Sequence, residues 1–325
     1  MDGPQWSVRS AGLGAVLWLA APWLPVGSSP SFGSLEHVFV FLPLVAAPLA
    51  LLLLSTFLQP GLYGVAQRMQ PMAASMVLAS LFVAKGALAG ALTVGWLIMA
   101  VMVAISGVRG VRRGASANLS LLAAHLFLPV GGVWLLLSRL GVGPRSFSAL
   151  TVFLAAVHLH FSGFTLQILI AAARRQLEDS ASRLRAAHRC VAIGAIAGIP
   201  LIAAGNAFPS PVLKLVGVAS MVLSVIGLAA MSLAIAPASP SRIAKWLLVV
   251  SAVSGAAAMI VAGVYGAGEL AGRGWIGIPR MVQMHGLLNA VGFTFCGLTA
   301  HLQWRSASEL SRREGRAFPR ATSSA

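Results

Sequence analysis

EHVFVFLPLVAAPLALLLLSTFL, residues 36–58, opens with Glu36 and His37 and then runs apolar to Leu58, broken only by two prolines, Ser55 and Thr56. The run has the length a helix needs to cross a bilayer core of about 30 Å at about 1.5 Å per residue. Polar and apolar positions do not alternate along it, which excludes a barrel strand. Hydrocarbon offers no partner to an unpaired backbone N–H or C=O, so the segment is read as a helix that satisfies its own main chain.

The same reading, carried outward, places spans near 11–27, 36–58, 71–87, 88–108, 117–138, 147–172, 188–206, 211–236, 243–267 and 280–304. The expected fold is therefore all-α, a polytopic transmembrane helical bundle of about ten spans occupying residues 1–304. Hydrophobic residues make up 58% of the 325 positions and charged residues 9%, against roughly a quarter charged in a soluble domain. No aqueous fold hides that much apolar side chain. The third and fourth runs are fused across Lys85–Gly90 and are read as a tight helical hairpin, because one helix of that length overshoots the bilayer. The first run, interrupted by Pro22 and Pro25 and preceded by Arg9, also fits a signal-peptide pattern.

Basic residues orient such a bundle. With the N-terminus in the cytoplasm, that side receives Arg9, Arg68, Arg109, Arg112, Arg113, Arg242 and Lys245, together with five arginines from Arg174 to Arg189 and five from Arg305 to Arg320. The opposite side receives Lys85, Arg139, Arg145, Arg273 and Arg280, with Lys214 near the start of the eighth span. Both termini are thus expected in the cytoplasm. The net charge of +16 is spread between apolar runs rather than gathered on a soluble face, so nucleic acid is not an expected partner. Anionic lipid headgroups are, through the cytoplasmic arginines. Residues 173–187 read as a basic linker on the headgroups, and 305–325 as a basic, disordered cytoplasmic tail. Cys190 and Cys296 belong to no ligand-spaced pair and are expected as free thiols.

Polar residues at depth carry the functional information, because burying them costs several kcal/mol unless they are paired or used. No Asp or Glu falls in the middle of any span, which removes support from carriers coupled through an intramembrane carboxylate. Histidines do fall there: His125 in the fifth span, His158 and His160 in the sixth, His285 in the tenth. Counting from the outer ends, two or three of these imidazoles are expected to meet in the outer half of the bundle. Imidazole ligates haem iron, copper and zinc. Residues two apart on a helix point about 200° away from each other, so at most one of His158 and His160 faces a given site. On the tenth span, RMVQMHGLLNAVGFTFCGLTAHL (residues 280–302), Met281, His285, Asn289, Gly292 and Cys296 fall on one stripe. That stripe reads either as a packing seam with Asn289 bonding across it or as a ligand-lined cavity. His37, His188 and His301 sit at helix ends, where histidine is ordinary.

Two segments carry a family resemblance. TVFLAAVHLHFSGFTLQIL at 151–169 holds an H-x-H-F-x-G-F run in His158, His160, Phe161, Gly163 and Phe164. RMVQMHGLLNAVGF at 280–293 holds an H-G-x-x-N-A-x-G-F run in His285, Gly286, Asn289, Ala290, Gly292 and Phe293. Together they resemble the YndJ-like family of bacterial membrane proteins, and the many-span layout agrees. The resemblance implies a location in the bacterial cytoplasmic membrane and brings no activity with it.

Functional expectations follow from the polar residues. One is a site for haem or a transition metal, drawn from His125, His158, His160, His285 and Asn289, with His158 and His285 as metal ligands. Alternatives are a transporter or permease for a small or lipid-like substrate, with the same residues lining its path, or a non-catalytic membrane scaffold. No Ser/His/Asp grouping, paired carboxylates or nucleotide loop appears, so catalysis is not expected.

Overall fold

The computed structural model describes residues 3–24, 32–58, 61–112, 118–177, 182–208 and 210–313. Among the described residues there are ten continuous helices and no strand. They are α1 (Gly3–Ala20, followed by a tight turn at Ala21–Trp23), α2 (Ser34–Leu54), α3 (Leu62–Leu81), α4 (Ala87–Arg112) and α5 (Leu119–Leu140). Then follow α6 (Ala149–Gln176), α7 (Ser182–Ala207), α8 (Pro211–Ile235), α9 (Arg242–Leu270) and α10 (278–313).

The chain is the helical bundle its hydropathy demands. Seven helices, α2 and α4 to α9, are long and apolar enough to cross a membrane. The other three are more polar: α1 opens with Gln5, Ser7 and Arg9, α3 carries Gln67, Arg68 and Gln70, and α10 begins with Arg280 and Gln283. Side chains cap several starts, with Asn118, Ser148, Ser210 and Ser241 each accepting from a backbone N–H of the first turn. Gly141, at φ 77°, closes α5 in the left-handed conformation that glycine adopts without strain.

Several expected boundaries move. The third span was placed at 71–87 with Pro71 as its start; the helix is Leu62–Leu81 and Pro71 lies inside it. A proline removes one N–H and need not end a helix whose other faces are packed. The hairpin reading holds, with the turn between Leu81 and Ala87 and Gly86 at φ 148°. The linker expected at 173–187 is mostly helix, since α6 runs to Gln176 and α7 begins at Ser182; its Arg, Gln, Leu and Ala are good helix formers. The basic tail begins as helix too. α10 continues to Arg313, supported by Arg305 pairing with Glu309 one turn on at 2.8 Å, while 314–325 lie outside the described residues. Both cysteines are free.

Three helices make the centre. α2 is the most enclosed, 94% buried along its apolar window, and it packs side by side with α6 and α10. The contacts fall in parallel register. Phe39 meets Phe153 and His160 of α6, and Val38 and Phe41 of α2 meet Gly286 and Phe295 of α10. Leu169 and Gln176 of α6 reach Gly297 and His301 of α10. α1, α3, α4 and α5 pack around one side, and α7, α8 and α9 around the other. Between α7 and α8, Gly194, Gly198 and Gly217 sit against the facing helix so closely that a Cβ has no room, the small-residue seam by which membrane helices approach.

Candidate functional site

Each of the three central helices widens into π-helical turns: 42–46 in α2, 159–165 in α6, and 282–286 and 288–295 in α10. The 42–46, 159–165 and 288–295 turns touch one another. Wide turns are rare, and they frequently occur at functional sites because they release backbone carbonyls from the helical ladder.

In α2 the cause is visible in the residues. Ala47 donates its N–H to Leu42 O, five residues back, so the next donor to Pro43 O in that register is Pro48, which has no N–H. The Gln70 side chain of α3, 1% exposed, supplies the missing bond at 2.6 Å, and Ser10 of α1 donates to its oxygen at 3.2 Å. In α10, Ser251 of α9 donates to Phe293 O at 2.8 Å.

The α6 turn sets its two histidines on opposite sides, as a two-residue spacing requires. His160, 0% exposed, points toward α4 and α5. Its Nδ1–H donates to Ala156 O at 2.7 Å, and its Nε2 accepts from the Trp96 indole at 2.8 Å. Phe39 packs edge-on against the ring, and Gly131 leaves the space it fills. Both ring nitrogens are engaged within the buried core.

His158 lies within electrostatic reach of His285 of α10. Its Nδ1–H donates to Leu154 O at 2.8 Å, the residue is exposed, and its Nε2 has no hydrogen-bond partner among the described residues. His285, half-buried, bonds across to α9, giving its Nδ1–H to Ala258 O at 2.9 Å. A neutral imidazole has a single N–H, so Nε2 of His285 accepts, and Asn289 Nδ2 donates to it at 2.9 Å. The expected stripe is thereby revised. Asn289 does not bond across the seam but pairs within its own helix, and His285 makes the interhelical bond. Gly292 and Gly297 serve packing, against Ser254 and against Ser251 with Leu169.

His125 stays apart. It lies between α5 and α4, its ring filling the space left by Gly107 and its Nδ1–H donating to Leu121 O. The four imidazoles thus divide into His160 with Trp96, His125 against Gly107, and His158 beside the His285–Asn289 pair. Among the described residues no group of three or more His, Cys, Asp or Glu is placed to hold a metal ion.

The structure also brings forward residues that sequence reading passed over. His301, 4% exposed, pairs with Gln176 at 3.0 Å at the far end of the α6–α10 seam. Gln167 Oε1, Gln176 Oε1 and Thr299 Oγ1, on the same two helices, are buried without a hydrogen-bond partner. His37 is no ordinary end residue either. It stacks on Trp18 at 4.7 Å and exchanges bonds with it, Trp18 donating to His37 O at 2.8 Å and His37 Nε2–H to Trp18 O at 3.1 Å. Glutamines inside apolar runs were the available signal for Gln70 and Gln167.

Compared with known proteins, the chain matches a family model described as YndJ-like protein over residues 37–293. The matched region begins at the histidine stacked on Trp18 and ends at Phe293, so it takes in the wide turns at 42–46, 159–165 and 282–286 and most of the one at 288–295, and leaves out α1. No curated protein and no solved structure matches the chain.

Proposed function

The chain belongs to the YndJ-like family, and from that premise we propose that it is an intramembrane binding protein of the permease type, taking a small or lipid-like molecule into the seam between α6 and α10. The observation that carries this reading is His158, an exposed residue within the α6 span whose Nε2 has no hydrogen-bond partner among the described residues and which lies within electrostatic reach of the hydrogen-bonded His285–Asn289 pair. A polar group at that depth costs several kcal/mol unless it is used. The seam continues toward the other end of the bundle through Gln167, Thr299 and the Gln176–His301 pair, whose orphaned oxygens want donors. The location that fits is the cytoplasmic membrane of a bacterium, both termini inside, with the arginine-rich ends against anionic headgroups.

The test is thermal unfolding of the purified protein in nanodiscs against a panel of neutral, cationic and anionic amphiphiles and small polar solutes. At least one class raises the unfolding temperature of the wild type and not of His158→Leu. A panel that leaves the wild type unmoved overturns the reading.

A second reading, that a transition metal or haem is held by His158 and His285, draws on the electrostatic coupling between the two imidazoles. It requires Asn289 to give up its bond to His285 Nε2. Stoichiometric metal or a Soret band lost in His285→Ala supports it, and a metal-free, colourless, folded preparation after metal or haem loading rejects it.

A further inference from the structure

The hydrogen-bond directions at the seam reach further than the presence of a site, and this step rests on the binding reading above. Leu154 O takes the Nδ1–H of His158 at 2.8 Å, which leaves its Nε2 as an acceptor. Ala258 O takes the Nδ1–H of His285 at 2.9 Å, so His285 Nε2 must accept from Asn289 Nδ2, at 2.9 Å. That bond also orients the amide: were Asn289 turned over, its oxygen would face an imidazole nitrogen that has no proton. Asn289 Oδ1 therefore points away from His285 and finds no partner among the described residues. Two backbone carbonyls, one on α6 and one on α9, thus fix the polarity of both open groups as acceptors.

Charge narrows the ligand further. No Asp or Glu lies within the span around this site; Glu36 and Glu269 sit at helix ends, the latter paired with Lys214 at 3.6 Å. The basic residue in this part of α10 is Arg280, in its first turn. Seven residues separate the start of α10 from His285, which puts the site roughly 10 Å down the helix, at hydrocarbon depth. A carboxylate or phosphate placed there meets two acceptors and no cation, and a quaternary ammonium has no proton to give them.

We infer that the seam selects an amphiphile without negative charge whose head carries an O–H or N–H, donated to His158 Nε2 or to Asn289 Oδ1, with its chain lying along the apolar flank of α6 and α10. A long-chain alcohol, a diacylglycerol or a primary fatty amide has this chemistry. The same chain ending in a methyl ether or a carboxylate does not.

The experiment uses the full chain in nanodiscs and three photoactivatable probes with one common alkyl chain, ending in a hydroxyl, a methyl ether or a carboxylate, at pH 8. The hydroxyl probe labels α6 or α10 peptides about tenfold more than either of the others, which is the ratio expected for roughly one hydrogen bond at a buried acceptor. His158→Leu and Asn289→Leu each reduce hydroxyl labelling to the level of the ether. Because the three probes are compared on the unmodified protein, the result does not depend on a variant folding. Equal labelling by alcohol and ether, or preference for the carboxylate, overturns the donor requirement while leaving binding at the seam intact. Absence of His158-dependent labelling by any probe overturns both.

Discussion

The Trp96 indole N–H of α4 donates to Nε2 of His160 in α6 at 2.8 Å, while the Nδ1–H of the same ring is given to Ala156 O at 2.7 Å. This one relationship occupies both nitrogens of a family-motif histidine and ties α4 to α6. Replacing Trp96 by Phe keeps most of the packing and strips the donor. The bare acceptor costs about 1–3 kcal/mol of stability. Adding His160→Leu to Trp96→Phe costs less than the sum of the two single changes, because the orphaned group is gone. Unfolding in detergent by circular dichroism measures both, and strict additivity contradicts the assignment.

Glycines facing rings give a second, more local check. A Cβ on Gly107 falls 2.2 Å from His125 Cγ, and one on Gly131 falls 2.8 Å from His160 Nδ1. Neither ring is the far end of a flexible chain, so Gly107→Ala and Gly131→Ala are each expected to destabilise by about 1–3 kcal/mol through overpacking. Gly263 has nothing within 4 Å of such a Cβ, and Gly263→Ala is neutral or stabilising by up to about 1 kcal/mol from helix propensity. A reversal of this order in thermal unfolding counts against the packing described.

Gln70 substitutes for a backbone donor that proline lacks. Gln70→Leu leaves Pro43 O buried and unpaired, at a cost of about 1–3 kcal/mol. Pro48→Ala returns an N–H to the helix and recovers part of that loss. If Pro48→Ala has no effect in the Gln70→Leu background, the account of the wide turn in α2 fails.

Arg139 holds the hairpin between α3 and α4. Its Nη2 donates to Ser80 O and Val83 O, each at 2.7 Å, and its own carbonyl accepts from Gly86 N at 2.9 Å. Arg139→Met frees the end of α3, so trypsin should cut at the exposed Lys85 several-fold faster than in the wild type, with the rest of the digestion pattern unchanged. An unchanged rate at Lys85 sinks the idea that this arginine is the clamp.

The residues show how far the chain could be read before folding. Residues 36–58 announce a buried helix, and Lys85–Gly90 announces a turn, because length, apolarity and charge are local quantities. Pro71 misled as a boundary, since whether a proline ends a helix depends on what packs around it. His125, His158, His160 and His285 were all visible as intramembrane imidazoles. Nothing local says that Trp96 will take the lone pair of His160, or that Ala258 O will fix the tautomer of His285, because those partners lie 64 and 27 residues away. The π-helical turns were equally hidden.

Membership of the bilayer, the helical class and the opposite aim of His158 and His160 follow from chain chemistry alone, because hydrocarbon tolerates only self-satisfied backbone and a helix advances by a fixed angle per residue. Which imidazole is sealed and which stays open was settled by packing. A ring nitrogen is a ligand or a structural bond according to the group that arrives beside it, and here α4 supplies one to His160, while among the described residues none is supplied to Nε2 of His158.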